Sequence, residues 1–221
     1  MLLSEEQPEA GVRTCGLLPL TTYHSLLTAF RLHNAHMSTV PKFATYEDVL
    51  NAPEHLVAEI LNGTLYTHPR PAPRHANATT ALSSVIRSPF GRSRGGPGGW
   101  IILIEPELHL GRDVIVPDVA GWRRERLPKL PETAWFELAP DWVCEVLSPS
   151  TARIDRQLKM RIYAAHGVPN VWLVDPIAQT LESYRLEGAR WLLLATHGGD
   201  ETVAIEPFEA VPTALAELWA E

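Results

Sequence analysis

Short apolar segments dominate the chain, and turn-forming residues separate them. The first clear pair is Leu56–Leu61 and Thr64–Thr67, which flank the dipeptide Asn62-Gly63. Asn-Gly readily adopts the positive φ angles of a type I′ turn, the turn that joins two antiparallel strands. The pattern therefore predicts a β-hairpin, with Glu59 on its first strand.

Six later segments are rich in β-branched and aromatic residues and are bounded by Gly, Pro or Asp, which is typical of strands. These segments are Trp100–Ile104, Val114–Gly121, Trp142–Leu147, Asn170–Asp175, Thr180–Leu186 and Trp191–Thr196. The segment Gly91–Gly99 precedes them and is rich in glycine. It lacks the Lys-Ser or Lys-Thr pair of a phosphate-binding loop, so it predicts a mobile hairpin or lid.

Helical spacing of apolar residues and capping signals predict four helices. Thr45 is a candidate N-cap because two acids follow it in the first turn, where they favourably meet the helix dipole. Gly167 is a natural C-terminal stop for the third helix. The predicted helices run from Thr45 to about Asn51, and over His75–Ile86, Arg153–His166 and Thr213–Trp219.

The strand, helix and strand from Trp142 to Asp175 form a βαβ unit, whose two strands pair in parallel. The elements together predict an α/β (α+β) fold, with a mixed central sheet flanked by helices. We expect the domain proper to cover residues 43–212, and residues 213–221 to form a C-terminal helix. Residues 1–42 are expected to be a poorly structured extension, in which Met37 is an alternative start.

Composition indicates one globular domain, since 221 residues with 45% hydrophobic side chains can bury a substantial core. No apolar stretch is long enough to span a membrane, and acids near the N-terminus oppose a signal peptide. We therefore expect a cytoplasmic protein without a membrane partner. The two cysteines, Cys15 and Cys144, cannot build a disulfide framework or a zinc site.

Charge is distributed unevenly along the chain. The net charge of −7 alone opposes binding to nucleic acid, but the stretch from Ile60 to Ile104 contains no acid. A basic surface of this kind could meet phosphates, while a solvated loop surface explains any single arginine equally well. The stretch carries five arginines: Arg70, Arg74, Arg87, Arg92 and Arg94. All of these except Arg87 are our candidates for binding nucleic acid.

The candidate chemistry begins at Glu145, a carboxylate inside an apolar strand pattern. Burying an ionised carboxylate is costly unless a cation or hydrogen bonds compensate it. Asp118 lies 27 residues before Glu145, and Lys159 lies 14 residues after it. Two carboxylates and a lysine suit a divalent metal and a phosphate. The alternatives are a structural ion pair for Glu145, a strand end for Asp118 and a solvated pairing with Asp155 for Lys159.

Several motifs resemble the Uma-two family of bacterial restriction endonucleases, which belongs to the PD-(D/E)XK nuclease superfamily. The similarity extends from about Phe43 to Phe208 and implies a restriction-endonuclease-like fold. It also implies hydrolysis of phosphodiester bonds, most plausibly in DNA. The motifs are the hairpin Glu59–Gly63, Pro73-Arg74-His75, Pro117-Asp118, Glu145–Ser150, the helix residues Asp155, Lys159 and Tyr163, and Gly167–Pro176.

The resemblance implies that Asp118 and Glu145 bind Mg²⁺ or Mn²⁺ and that Glu59 is an acidic residue preceding the core motif. In the usual superfamily pattern a lysine stands two residues after the second carboxylate, where this chain has Leu147. Lys159, on the following helix, matches the place that the lysine takes in this family. The expected catalytic set is therefore Glu59, Asp118, Glu145 and Lys159, although a surface position beside the hairpin turn also suits Glu59.

Two classes of function follow from this reading. The first is a Mg²⁺-dependent endodeoxyribonuclease with DNA as its partner, no small-molecule cofactor and, as in many nucleases that cut both strands, a homodimeric state. The second is a catalytically inactive nuclease fold that binds nucleic acid or a protein. A nuclease selective for RNA or for a nucleic-acid structure is a further alternative, because no residue identifiably reads base edges. We expect His75 to cap or open its helix, and Tyr163 to lie in the core with a partner for its hydroxyl group.

Overall fold

The computed structural model describes residues 43–220, so the predictions for residues 1–42 lie outside the described residues. The first half of this range contains two helices and six strands. In chain order they are α1 (Tyr46–Leu50), β1 (Leu56–Leu61), β2 (Thr64–Pro69), α2 (Pro73–Ile86), β3 (Trp100–Ile104), β4 (Leu108–Leu110), β5 (Asp113–Ile115) and β6 (Val119–Arg123).

The second half contains the βαβ unit, four further strands and a short C-terminal helix. Its elements are β7 (Trp142–Val146), α3 (Ala152–Ile154), α4 (Met160–Ala165), β8 (Asn170–Asp175), β9 (Thr180–Glu187), β10 (Arg190–Gly198), β11 (Thr202–Val203), β12 (Thr213–Ala214) and α5 (Ala216–Trp219). Two π-helical turns extend these helices: Arg87–Gly91 continues α2, and Asp155–Lys159 joins α3 to α4. Among residues 43–220, no helix is both long and apolar enough to cross a membrane.

A four-stranded sheet has the order β2-β1-β5-β4, and all its pairs are antiparallel. The predicted hairpin is confirmed, since β1 and β2 pair from Leu56 with Pro69 to Leu61 with Thr64. Its turn residues Asn62 and Gly63 have φ angles of 52° and 76°, as a type I′ turn requires. Glu59 lies on β1, as the pattern predicts.

A six-stranded sheet has the order β10-β9-β8-β7-β6-β3. The βαβ unit pairs β7 with β8 in parallel, from Trp142 with Asn170 to Val146 with Val174, while the other neighbours are antiparallel. The predicted mixed central sheet flanked by helices is therefore confirmed.

The prediction of one strand over Val114–Gly121 is wrong, because β5 ends at Ile115 and β6 begins at Val119. Pro117 has no N–H to donate to a strand ladder. The next residue, Asp118, uses a side-chain oxygen to accept a hydrogen bond from the amide of Val146, at 2.7 Å. The chain passes from the four-stranded sheet to the six-stranded sheet at this break, so Asp118 lies where the two sheets meet.

Two helix ends also differ from the prediction. The second helix begins at Pro73, which suits the first helical turn, and the helical path runs past Pro89 through the π turn that ends at Gly91. At the C-terminal end, Thr213–Ala214 forms β12 paired with β11, and only Ala216–Trp219 is helical. Thr213–Ala214 is a strand because β11 pairs with it, and the local spacing of apolar residues does not reveal such a partner.

The hydrophobic core has two parts, one on each face of the six-stranded sheet. On one face, α2 and α5 pack around Phe208, whose ring centroid lies 4.8 Å from that of Trp100 and 4.9 Å from that of Trp142. On the other face, α4 and the four-stranded sheet enclose Trp122 and Tyr163, which are fully buried. This second part of the core fixes the strands and the helix that carry the polar residues described next.

Candidate active site

The four residues of the expected catalytic set lie together where the two sheets meet. Glu59 comes from β1, Asp118 from the break between β5 and β6, Glu145 from β7, and Lys159 from the π turn before α4. Three of them are deeply buried, with relative exposures of 0% for Glu59, 2% for Glu145 and 4% for Lys159. This burial excludes the surface position considered for Glu59 and the solvated pairing considered for Lys159.

The ammonium group of Lys159 stands among three carboxylates. Its Nζ atom lies 3.0 Å from Glu59 Oε1, 3.4 Å from Glu145 Oε1 and 3.6 Å from Asp155 Oδ1. The expected contact with Asp155 therefore exists, but it is the longest of the three. Burial disfavours the ammonium ion, yet these carboxylates hold the pKa of Lys159 well above its usual value. Lys159 is therefore charged.

The π turn places Asp155 at its first position and Lys159 at its last. It follows a compact turn in which Ser148 Oγ accepts a hydrogen bond from the amide of Thr151, at 3.2 Å. Helix α4 ends at Ala165, and Gly167 follows it with a φ of +70°, which suits a glycine just after a helix C-terminus. Single π turns inside α-helices are frequent at functional sites, and this one directs both charged side chains toward the sheets.

Both carboxylate oxygens of Glu59 have a hydrogen-bond partner. Oε1 accepts a hydrogen bond from the amide of Val116 at 2.8 Å, and Oε2 lies 3.2 Å from Nε2 of His68. Burial alone would raise the pKa of Glu59, but Lys159 and these hydrogen bonds outweigh burial and lower it. Glu59 is therefore ionised and pairs with Lys159.

Glu145 has a different electrostatic environment. Its Oε1 atom accepts a short hydrogen bond from the hydroxyl group of Tyr163. Burial raises the pKa of Glu145 well above its usual value, and the nearby charges of Asp155, Asp118 and Glu59 raise it further, although Lys159 opposes them. Without another cation, this carboxyl group therefore favours its protonated form.

Asp118 is oriented by two contacts. Its Oδ2 atom accepts the hydrogen bond from Val146, and its Oδ1 atom lies 3.2 Å from Nε2 of His75. Burial lowers the pKa of His75, but the neighbouring carboxylate outweighs burial and raises it. His75 thus contacts a site residue and does not open α2, which begins two residues earlier.

These residues border a cavity of about 260 Å³ between the two sheets, which we call the active-site cavity. Asp118, Glu145, Asp155 and Lys159 line it, together with the turn that follows β7. Glu59 does not line the cavity, but it contacts Lys159, which does.

The four arginines expected to bind nucleic acid do not share one place. Arg70 lines the active-site cavity, and its side chain also donates a hydrogen bond to the carbonyl oxygen of Glu54 at 3.2 Å. Arg74 lines a second cavity, and Arg92 lines a groove along β3. Arg94 lies exposed in the loop that follows the π turn.

The donor set suits a hard divalent cation. Within residues 43–220, no three His, Cys, Asp or Glu side chains are grouped in a way that could hold a metal ion. Mg²⁺ is nevertheless commonly held by one or two carboxylates with water and substrate phosphate as its other ligands. Asp118 and Glu145 face the same cavity, and the site contains four acidic residues to one lysine. The arrangement therefore fits Mg²⁺ or Mn²⁺ with two protein ligands.

His68 and the hydroxyl group of Tyr163 are site features that the sequence reasoning missed. The hairpin register pairs Val57 with His68 and Glu59 with Tyr66, so the side chains of His68 and Glu59 are diagonal neighbours on one face. This register was the available signal for His68. Tyr163 is buried as predicted, but its position in the core gives no indication that the hydroxyl group reaches a carboxylate.

Comparison with known proteins agrees with this architecture. The structure is similar to a crystal structure described as "a putative nuclease belonging to DUF820" from Anabaena variabilis, with a TM-score of 0.65 and 24% sequence identity. The similarity covers 80% of this chain and 98% of that one. The chain thus shares the mixed α/β fold of that putative nuclease. A family model, Uma2, with the description "Putative restriction endonuclease", matches residues 42–216, and the chain belongs to this family. No protein of curated function matches the sequence.

Proposed function

We propose that this protein is a divalent-metal-dependent nuclease that hydrolyses phosphodiester bonds in DNA. The observation that carries the proposal is the pair of carboxylates, Asp118 and Glu145, that faces one cavity beside the charged Lys159. Clustered buried carboxylates are costly without a compensating cation, and the family description supports nuclease chemistry.

Asp118 and Glu145 would hold Mg²⁺ or Mn²⁺, which supplies positive charge beside the phosphate and lowers the pKa of a bound water. Lys159 lines the same cavity, so its ammonium group can stabilise negative charge that develops on the phosphate. Arg70 lies on this cavity as well and can orient the nucleic-acid backbone.

The remaining polar residues act through these groups. Glu59 is a positioning residue, because it contacts Lys159 at 3.0 Å but does not line the cavity. Tyr163 fixes one oxygen of Glu145, and His75 fixes one oxygen of Asp118. Such outer contacts orient metal ligands and raise the affinity of a site for its metal.

Cleavage of supercoiled plasmid and of single-stranded DNA with Mg²⁺ or Mn²⁺ tests the proposal. We expect Asp118→Asn and Glu145→Gln to lower the cleavage rate by more than about a hundredfold, because even residues outside the first ligand shell of metal sites typically contribute 10–100-fold. Glu201→Gln makes the same kind of change at an exposed carboxylate and should leave the rate unchanged. Wild-type rates in both site variants would show that these carboxylates have no part in the chemistry.

A second candidate is a nuclease fold that binds nucleic acid or a protein without cutting. It is favoured by the lack of a three-ligand metal group within residues 43–220. The same assay, extended to RNA, separates the two candidates, because this one requires a wild-type protein that cuts neither DNA nor RNA with either metal.

We also propose a homodimer, since a symmetric pair of active sites allows both strands of a duplex to be cut. Sedimentation of the full chain with and without duplex DNA measures its mass. A protein that linearises plasmid but sediments as a monomer both with and without duplex DNA would contradict this part of the proposal.

A further inference from the structure

A second basic surface runs along β3, the strand at one edge of the six-stranded sheet. It is a groove of about 260 Å³, here called the β3 groove, and no acidic residue lines it. All of its charged residues are exposed and positive: Arg87, Arg92, Arg124 and Lys129. They come from the π turn after α2 and from the segment after β6, so the fold brings two distant stretches of chain together.

None of these four side chains forms an ion pair or a side-chain hydrogen bond within the described part of the chain. Neighbouring cations are used differently. Arg126 pairs with Asp141 at 2.7 Å, and the guanidinium group of Arg123 lies 4.6 Å from the ring centroid of Trp100. The groove therefore holds four like charges without an internal counter-charge, an arrangement that favours binding of an anion with several charges.

β3 is an edge strand at this surface. β3 pairs with β6 on one side, and on its other side it has no partner strand among residues 43–220. The open edge of a strand presents unpaired N–H and C=O groups. Backbone N–H groups are common donors to the phosphate oxygens of nucleic acids.

The β3 groove and the active-site cavity lie at opposite ends of β6. Asp118 immediately precedes this strand, and Arg124 immediately follows it. Six residues of extended chain span roughly 20 Å at about 3.3 Å per residue. One strand of a duplex carries a phosphate about every 3.4 Å, so this distance corresponds to about six phosphates.

We propose that the β3 groove binds the phosphodiester backbone of a nucleic acid, about six nucleotides from the bond presented to the active-site cavity. The position of that bond rests on the proposed nuclease function, whereas binding in the groove does not require cleavage. Contacts to the backbone carry no base readout, so the groove contributes affinity and orientation for any sequence.

Fluorescence anisotropy with a labelled 20-base-pair DNA duplex tests the inference, using the full chain in EDTA at 50–200 mM KCl. The test variant is Arg124→Gln/Lys129→Gln. The matched control is Arg161→Gln/Arg190→Gln, which removes two exposed charges near β10, at the opposite edge of the same sheet. The two double variants have the same net charge, so any difference between them reports the position of the charges.

We expect the groove variant to reduce the slope of log affinity against log salt by about 1.8, because each lost phosphate contact contributes about 0.9. The same slope corresponds to an affinity loss of up to about 60-fold at 0.1 M salt. The control should keep the wild-type slope. Equal losses in both variants, no loss in either, or no binding of any nucleic acid by the wild type would overturn the inference.

Single-stranded DNA and an RNA duplex of the same sequence identify which nucleic acid supplies the backbone. The inference holds when the groove variant has a lower affinity than the wild type for the nucleic acid that the wild type binds most tightly. It fails when that affinity is unchanged. A wild type that binds through the groove but never cleaves plasmid would refute the nuclease proposal alone. Plasmid cleavage together with unchanged binding by the groove variant would refute the groove alone.

Discussion

Replacing Lys159 with methionine removes the cation on which three buried carboxylates converge. At an effective dielectric constant of about 20, the 3.0 Å contact with the ionised carboxylate of Glu59 corresponds to an attraction of about 5.5 kcal/mol before desolvation. Removing one partner of a buried ion pair costs about 3–5 kcal/mol in measured cases, because the remaining charge is left without compensation. We expect Lys159→Met to lower the free energy of unfolding by this amount at pH 8.

The effect should depend on pH with a definite sign. Without the ammonium group, the pKa of the carboxyl group of Glu59 rises in the folded state, where Lys159 otherwise lowers it. In the unfolded chain a glutamate titrates near its usual pKa of about 4.3. In the variant, the unfolded state therefore releases this proton at a lower pH than the folded state does, so raising the pH favours unfolding. The destabilisation should be small near pH 4.5 and complete by pH 8. For a chain of this length it corresponds to a decrease in Tm of about 6–20 °C at pH 8.

Thermal unfolding in EDTA at pH 5 and pH 8, followed by circular dichroism or calorimetry, measures this effect. The control is Lys129→Met, which removes an exposed lysine and should change stability by less than about 0.5 kcal/mol. A Lys159→Met protein that melts within about 2 °C of the wild type at pH 8 would refute the reasoning. A larger loss at pH 5 than at pH 8 would refute it equally.

Three further predictions concern single side chains. Glu145→Gln should raise the Tm in EDTA, and the gain should grow between pH 5 and pH 8. Burial raises the pKa of this carboxyl group, so the wild type loses stability as the pH rises from the usual glutamate pKa toward the raised pKa of the folded state. Thermal melts at the two pH values check this prediction. Tyr163→Phe should raise the Mg²⁺ concentration for half-maximal cleavage by about 10–100-fold, since the hydroxyl group no longer orients Glu145; a metal titration of the plasmid assay that shows no shift would contradict it. Gly63→Ala should cost at least about 1–2 kcal/mol, because φ is +76° and the added Cβ would overlap the ring of Phe43; a denaturant melt with an unchanged midpoint would exclude this strain.

The sequence predicts those parts of the fold that local chemistry determines. Asn62-Gly63 specifies a turn type and therefore the hairpin, and Gly167 ends the helix of the βαβ unit. The burial of Glu145 also follows from a local pattern, because five consecutive residues of β7 are buried and a carboxylate among them requires a partner.

Features that depend on contacts between distant elements could not be predicted in this way. The break at Asp118 is stabilised by a hydrogen bond from Val146, 28 residues away in the chain. The β3 groove combines Arg87 with Arg124, and the latter lies outside the basic stretch that charge counting identifies. In both cases the pairing of strands decides which residues come into contact, and the local pattern of apolar residues does not indicate that pairing.

Two backbone amides in this protein are natural reporters of the active site. The N–H group of Val116 donates to Glu59, and that of Val146 donates to Asp118. Because each amide donates directly to a carboxylate oxygen, its proton senses the charge next to that oxygen. A two-dimensional NMR spectrum could therefore follow events at Glu59 and metal binding at Asp118 separately. No label or substitution would be needed inside the active-site cavity, where any added group would disturb what it measures.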